Sequence, residues 1–300
     1  MLCRDFLPTV VVLSLTGCIE LAIDFPDLGA DIQQSDGAEV DAKAVAPWPA
    51  SDGSAPFQHA EIYAHTAEQL YHFDPTTQKL KLVGAFDCLS EVNTSATEEG
   101  MTDIAVDADG RMLGVALSEA SEGKPVLVEI DRETAACKVV VELSQQLQGL
   151  SFVPGGLLDP EKEVLVGIWA SCQYHRVDQQ TGQVTKLGTI TEPCLSKGGD
   201  LVAIKGDATY TTAITDEAQN TDNLLIFNPA TAALESNRGD TKLQGVNAGL
   251  AYWGGTLYGF TLAGQIVEIN RLSAQLKVVA EFPDLSFRGA GVRTTAPIVY

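Results

Sequence analysis

Four histidines (His59, His65, His72, His175) and six cysteines are the side chains of this 300-residue chain best suited to metal binding or nucleophilic work. Structural zinc sites take their thiolates in close pairs. Cys88, Cys137, Cys172 and Cys194 are instead separated by 49, 35 and 22 residues, a spacing that argues against zinc and leaves the metal assignment at none. No HExxH pair, no Gly-x-Ser-x-Gly elbow and no glycine-rich phosphate loop before a helix occurs. The histidines therefore read as surface or strand residues. Asp107 and Asp109 before Gly110 form a fragment of a calcium loop, but the same residues build a hairpin turn, which is the preferred reading. Four cysteines in an oxidising compartment imply two disulfides, with three pairings open.

Composition narrows the field. Acidic residues outnumber basic ones 40 to 19, a net charge of −21. With no basic patch to release counterions, nucleic acid is excluded as a partner. At 45% hydrophobic and 20% charged, the chain can bury a core and is neither wholly disordered nor a polytopic membrane protein. Its 27 glycines and 13 prolines favour many turns between short strands.

The first eighteen residues have the form of an address. Arg4 precedes an apolar run from Phe6 to Leu15, too short to span a bilayer, which takes about twenty residues. The run ends in Leu15-Thr16-Gly17-Cys18, which resembles the lipobox of bacterial lipoproteins. The resemblance implies a signal peptide over residues 1–17, acylation of the Cys18 thiol, and export across the inner membrane. Ile19 stands where aspartate marks inner-membrane retention in that family, so the resemblance implies an outer-membrane anchor. Residues 18–58 then read as an acidic tether. Residues 19–58 hold eight acids against the single base Lys43, too polar to repay the entropy of ordering.

The remainder, residues 59–300, repeats. An apolar stretch ending in Asp or Asn recurs at Asp74, Asp131, Asp178, Asn228 and Asn270, with intervals of 57, 47, 50 and 42 residues. Asp or Asn followed by Thr or Gly is hairpin-turn chemistry. A second pattern falls between these copies: Asp103-Ile104, Gly149-Leu150, Asp200-Leu201, Gly249-Leu250 and, more weakly, Gly289-Ala290. Each of its first four copies passes through a glycine-bearing turn to another strand (Arg111–Leu117, Glu163–Trp169, Ala208–Ile214, Thr256–Leu262). A further strand of that type stands first, at Glu61–Thr66. Short strands at such intervals, without helical periodicity, predict an all-β fold: a β-propeller of five four-stranded blades, in preference to a β-sandwich or an open array.

A ring must close to avoid bare sheet edges. The innermost strand of the first blade is missing from the N-terminus, and the C-terminal segment Gly289–Pro297 is left over. The expectation is a one-plus-three closure, with the fourth outermost strand, Ala233–Leu243, poorly formed. The alternation resembles propeller repeats of the Leu-Tyr-x-x-Asp-x-x-Thr-Gly type found in bacterial secreted proteins. Its motifs encode turns and packing, so Tyr63, Tyr71, Phe73, Phe152, Trp169, Phe227 and Tyr258 read as inter-blade core.

With strands placed, Cys172 lies in a turn of the third blade and Cys194 just past its last strand, on one face. That favours Cys172–Cys194, and leaves Cys88 to bridge to Cys137 on the neighbouring blade. A ligand site would sit at the mouth of the central channel, where Asp103, Asp200, Asn247 and Arg288 stand near the starts of the inner strands. The preferred reading is an inert channel lined by solvated side chains, with no cofactor; a divalent cation is the alternative occupant. The function expected is a non-enzymatic, lipid-anchored binding module of the cell envelope, with an unidentified protein or glycan partner. The alternative is a metal-dependent propeller hydrolase or lactonase using the channel acids around a Lewis-acid ion. A quinone-cofactor dehydrogenase is weaker, because a small wheel lacks a cofactor-sized pocket.

Overall fold

The computed structural model describes residues 61–89, 100–117, 124–195, 199–216, 221–244 and 247–299. The expected signal peptide with Cys18, the expected tether and His59 lie outside the described residues. Among the described residues, twenty strands form five four-stranded antiparallel sheets. Blade one holds β1 (Ile62–His65), β2 (Gln69–Asp74) and β3 (Lys79–Ala85). Blade two runs β4 (Gly100–Val106), β5 (Met112–Leu117), β6 (Pro125–Ile130) and β7 (Cys137–Glu142). Blade three runs β8 (Gly149–Val153), β9 (Val164–Trp169), β10 (Gln173–Val177) and β11 (Val184–Thr189). Blade four runs β12 (Leu201–Ala203), β13 (Thr209–Ala213), β14 (Thr221–Phe227) and β15 (Leu234–Gln244). Blade five runs β16 (Asn247–Trp253), β17 (Thr256–Thr261), β18 (Gln265–Ile269) and β19 (Leu276–Glu281).

The last strand, β20 (Gly289–Gly291), returns to blade one and pairs antiparallel with β1. Each inner strand touches its neighbours in the order β4, β8, β12, β16, β20 and back to β4, so the five blades close into a propeller. The closing strand is shorter than Gly289–Pro297. After Gly291 the chain leaves the sheet because its groups find better partners across the ring: Arg293 pairs with Glu61 and donates to the Ala108 carbonyl, and the Lys205 N–H donates to the Thr294 carbonyl. The fourth outermost strand is also better formed than expected. β15 extends over 11 residues and absorbs its polar Asn237–Asp240 stretch through register shifts against β14.

Burial follows position. Inner and second strands such as β8, β5 and β13 are buried throughout, whereas the outermost strands β3 and β7 are largely exposed. The five Asp/Asn turns share one construction. The side chain of Asp74, Asp131, Asp178, Asn228 or Asn270 accepts the N–H two residues on, and in all but the Asn228 turn the next N–H as well. The fourth residue on then takes left-handed φ: Gln78, Ala135, Gly182, Ala232 and Ala274. Two of these alanines pack on glycines of the preceding blade's outer strand, Ala135 against Gly84 and Ala232 against Gly188.

Aromatic side chains fill the seams between blades. Phe73 meets Phe260 edge-on at 5.8 Å across blades one and five, and Tyr174 meets Phe227 at 5.1 Å across blades three and four. Of the aromatic positions expected in the core, six are buried and Trp169 is half-buried. The structure joins Cys88 to Cys137 and Cys172 to Cys194. In the chain-entropy description, loops of this length contribute about 4 and about 3 kcal/mol respectively.

Candidate functional site

The hub is built from one recurring position. Asp103, Gly149, Asp200, Gly249 and Gly289 occupy corresponding places in, or just before, the inner strands, so the position is filled by aspartate twice and glycine three times. The glycines are needed because the strands crowd there. A Cβ on Gly149 would lie 2.5 Å from the Gly199 carbonyl oxygen, and one on Gly249 would lie 2.6 Å from the Gly289 carbonyl carbon.

The two aspartates use the space left by the glycines. Asp103 Oδ2 accepts the Leu150 N–H at 2.5 Å and the carboxyl also engages the Ile104 N–H. Asp200 Oδ1 accepts the Leu201 N–H at 2.6 Å and Oδ2 the Leu250 N–H at 2.5 Å, with the Ala290 N–H also bonded to this carboxyl. All five donors are the residues that follow the recurring position. Two carboxyls thus gather one main-chain N–H from every blade, and they hydrogen-bond to each other.

Both carboxyls are only 1% exposed. Burial, reinforced by the Asp200 charge, pushes Asp103 well above the usual carboxylate range. Burial also raises Asp200, opposed by its bonds to Asp103 and the main chain. Both members of the pair are consequently biased toward holding a proton. His65 on β1 lies beside them, with Nε2 3.7 Å from Asp103 Oδ1 and Nδ1 bonded to the Thr66 carbonyl at 2.8 Å. Burial lowers its pKa to about 4, so the ring is neutral.

The expected channel-mouth set divides. Asp103 and Asp200 come together as a hydrogen-bonded pair, but they are enclosed, not solvated. Arg288 is half-buried one residue before β20, and its N–H donates to the His65 carbonyl. Asn247 opens β16 opposite Thr261, two residues before the recurring position; its side chain lies outside the described residues. Sequence reasoning missed His65, which lacks a motif, although its place directly opposite Gly289 in the closing ladder could have marked it. Asp107, by contrast, does form the expected hairpin turn, accepting the Arg111 N–H at 2.8 Å.

Past the far ends of the inner strands runs the C-terminal tail, residues 292–299. Its Arg293 bridges to Val106, Thr294 bonds to Glu163 and Lys205, and the Pro297 carbonyl accepts the Gly254 N–H at 2.9 Å. With Arg293 also paired to Glu61, the tail touches all five blades.

Among the described residues, no three His, Cys, Asp or Glu side chains are placed to hold a metal ion. No family model matches the chain, and no curated protein matches it. Among the solved structures that match the chain, two align over much of its length. BamB from Moraxella catarrhalis does so at a TM-score of 0.35 and 14% identity, over 75% of this chain and 59% of that one. The computationally designed Ika8 protein does so at 0.36 and 13%, over 77% and 62%. The chain spans about three-fifths of the length of these structures. At such scores neither likeness carries a functional conclusion.

Proposed function

We propose that the chain is an envelope lipoprotein whose propeller serves as a rigid, non-enzymatic binding module. The observation that carries this reading is the closed hub. The two carboxyls that would do the chemistry of a propeller hydrolase are 1% exposed, and three of their four oxygens accept main-chain N–H groups. At that burial they present almost no surface to a substrate, and the rim surfaces are left to make contacts. Two disulfides suit an oxidising compartment. The lipobox resemblance at Cys18 supplies the anchor in this reading, and the acidic tether supplies reach.

The test has two arms. Metabolic labelling with an alkyne fatty acid is expected to mark the wild type and not Cys18→Ser, with the variant released from the membrane fraction. In-cell cross-linking of the full chain is expected to give discrete, saturable adducts on the propeller. An unlabelled wild type sinks the anchor, and purified protein that hydrolyses esters or lactones in an Asp103-dependent way sinks the non-enzymatic reading.

A further inference from the structure

Asp103 and Asp200 belong to blades two and four, yet their carboxyls hydrogen-bond to each other at 1% exposure. Each also holds its neighbours. Asp103 takes the Leu150 N–H of blade three, and Asp200 takes the Leu250 N–H of blade five and the Ala290 N–H of β20. A force that parts the two carboxyls therefore pulls on all five blades together. The closing seam lies against the same pair: a Cβ on Gly289 would collide with both Asp103 Oδ1 and His65 Nε2.

Two carboxylates in contact and out of water repel strongly when both are ionised. His65 is in no state to neutralise them. Its Nδ1 donates to the Thr66 carbonyl, which leaves Nε2 an acceptor, 3.7 Å from Asp103 Oδ1. Both of these facing atoms are buried and, among the described residues, lack a hydrogen-bond partner. The other elements packed here add little charge. Strands β8, β12 and β20 carry no ionisable side chain, and Tyr210 on β13 and Tyr252 on β16 bond to Asp207 instead. Tyr63 on β1 faces Glu61, Arg132 and Arg293. Arg288, half-buried one residue before β20, bears on the His65 ring and is itself drawn on by Glu68.

We infer that a proton held between Asp103 and Asp200 locks the ring shut, and that its loss on the alkaline side of neutrality drives the carboxyls apart and opens the β1–β20 seam. The opened form bares the edge of β1 and frees the tail that follows β20. Burial raises both carboxyls, Asp200 to about 7. A raised folded pKa gives stability that is complete below the unfolded value, about 3.9, and is lost as pH rises through the folded one. His65 adds nothing in that alkaline window. Burial lowers its ring to about 4 in the folded chain, and the unfolded ring is neutral above about 6.5.

The experiment follows hydrogen exchange of the full chain, corrected for intrinsic rates, at the Leu150, Leu250 and Ala290 amides between pH 6 and pH 9. Wild-type protection is expected to fall about tenfold or more over that range. Asp103→Asn cannot place two charges at the hub, and is expected to cut the loss by about threefold or more. Thermal melts at pH 6 check that this variant is folded. Carbon-13 NMR of the wild type, labelled at its aspartate carboxyls, gives a reading that needs no variant: at least one carboxyl is expected to titrate above pH 6. A flat protection profile, an Asp103→Asn chain with the full alkaline loss, or no aspartate carboxyl titrating above pH 6 overturns the lock.

Discussion

Ala64 in the first strand stands directly opposite Ala290 in the last, flanked by the pairs Tyr63–Gly291 and His65–Gly289. These three pairs are the whole β-ladder between β1 and β20, so ring closure is concentrated in very few residues.

Two truncations separate the ladder from the tail beyond it. A chain ending at Gly291 keeps the seam but loses buried Val292, Thr294 and Ala296. It is expected to unfold cooperatively in urea with a loss of about 3 kcal/mol or more. A chain ending at Arg288 also loses the inner strand of blade one, and is expected to show no cooperative transition. Equal stability of the Gly291 truncation and the intact chain would show that the tail contributes nothing.

Inter-blade contacts through the turns are tested by Gly188 and Ala232. A Cβ on Gly188 would lie 2.6 Å from the Ala232 Cβ, so Gly188→Ala is expected to cost about 1–3 kcal/mol. Ala232→Gly removes that obstruction and relieves a φ of 58° on a non-glycine residue. The double variant is expected to recover about 1 kcal/mol relative to the sum of the single changes, read from a double-mutant cycle in urea. Simple additivity would mean that the two residues do not bear on each other.

The turn aspartates set part of the acid limit. The Glu133 N–H, with the Thr134 side chain and N–H, holds Asp131 below the usual carboxylate range; the Thr181 and Gln180 N–H groups do the same for Asp178. A depressed folded pKa means that stability is present above the unfolded value, about 3.9, and lost as pH falls through the folded one. Asn228 and Asn270 build the same turn without a titrating group. Combining Asp131→Asn with Asp178→Asn is therefore expected to shrink the drop in urea midpoint between pH 6 and pH 3. An unchanged drop would remove these turns from the acid response.

At the hub, Asp200→Ala strips acceptors from the Leu201, Leu250 and Ala290 N–H groups. Buried donors left unsatisfied are costly, and a loss of about 3–5 kcal/mol is expected by urea unfolding. Asp284→Ala, at an exposed position, is expected to stay within about 0.5 kcal/mol of the wild type. A similar small effect at Asp200 would contradict the hub as described.

Much of this architecture was legible because its repeat is written in local chemistry. The Asp and Asn turns and the Asp/Gly-Leu starts announce themselves in sequence, and counting strand types placed the last strand on the first blade. The length of that strand was not legible, since Arg293 leaves the sheet for Glu61 and Ala108, partners far away in the chain. The hub shows the same limit. Asp103 and Asp200 were visible as polar residues near inner-strand starts, but Asn247 and Arg288 sit one or two residues off the recurring position. Only coordinates show that the three glycines make room for two carboxyls to collect five N–H groups. Burial of those carboxyls, and of His65, depends on blades that meet only when the ring is shut.

The short closing ladder also fixes the order of events in the life of the chain. While it is being synthesised, β1 is among the first strands to emerge and β20 among the last. Through that interval the nascent protein carries an unfinished sheet whose bare edge can pair with a neighbouring chain. Its greatest exposure to aggregation therefore lasts until β20 has been made, and a product that stops before Gly289 never passes beyond it.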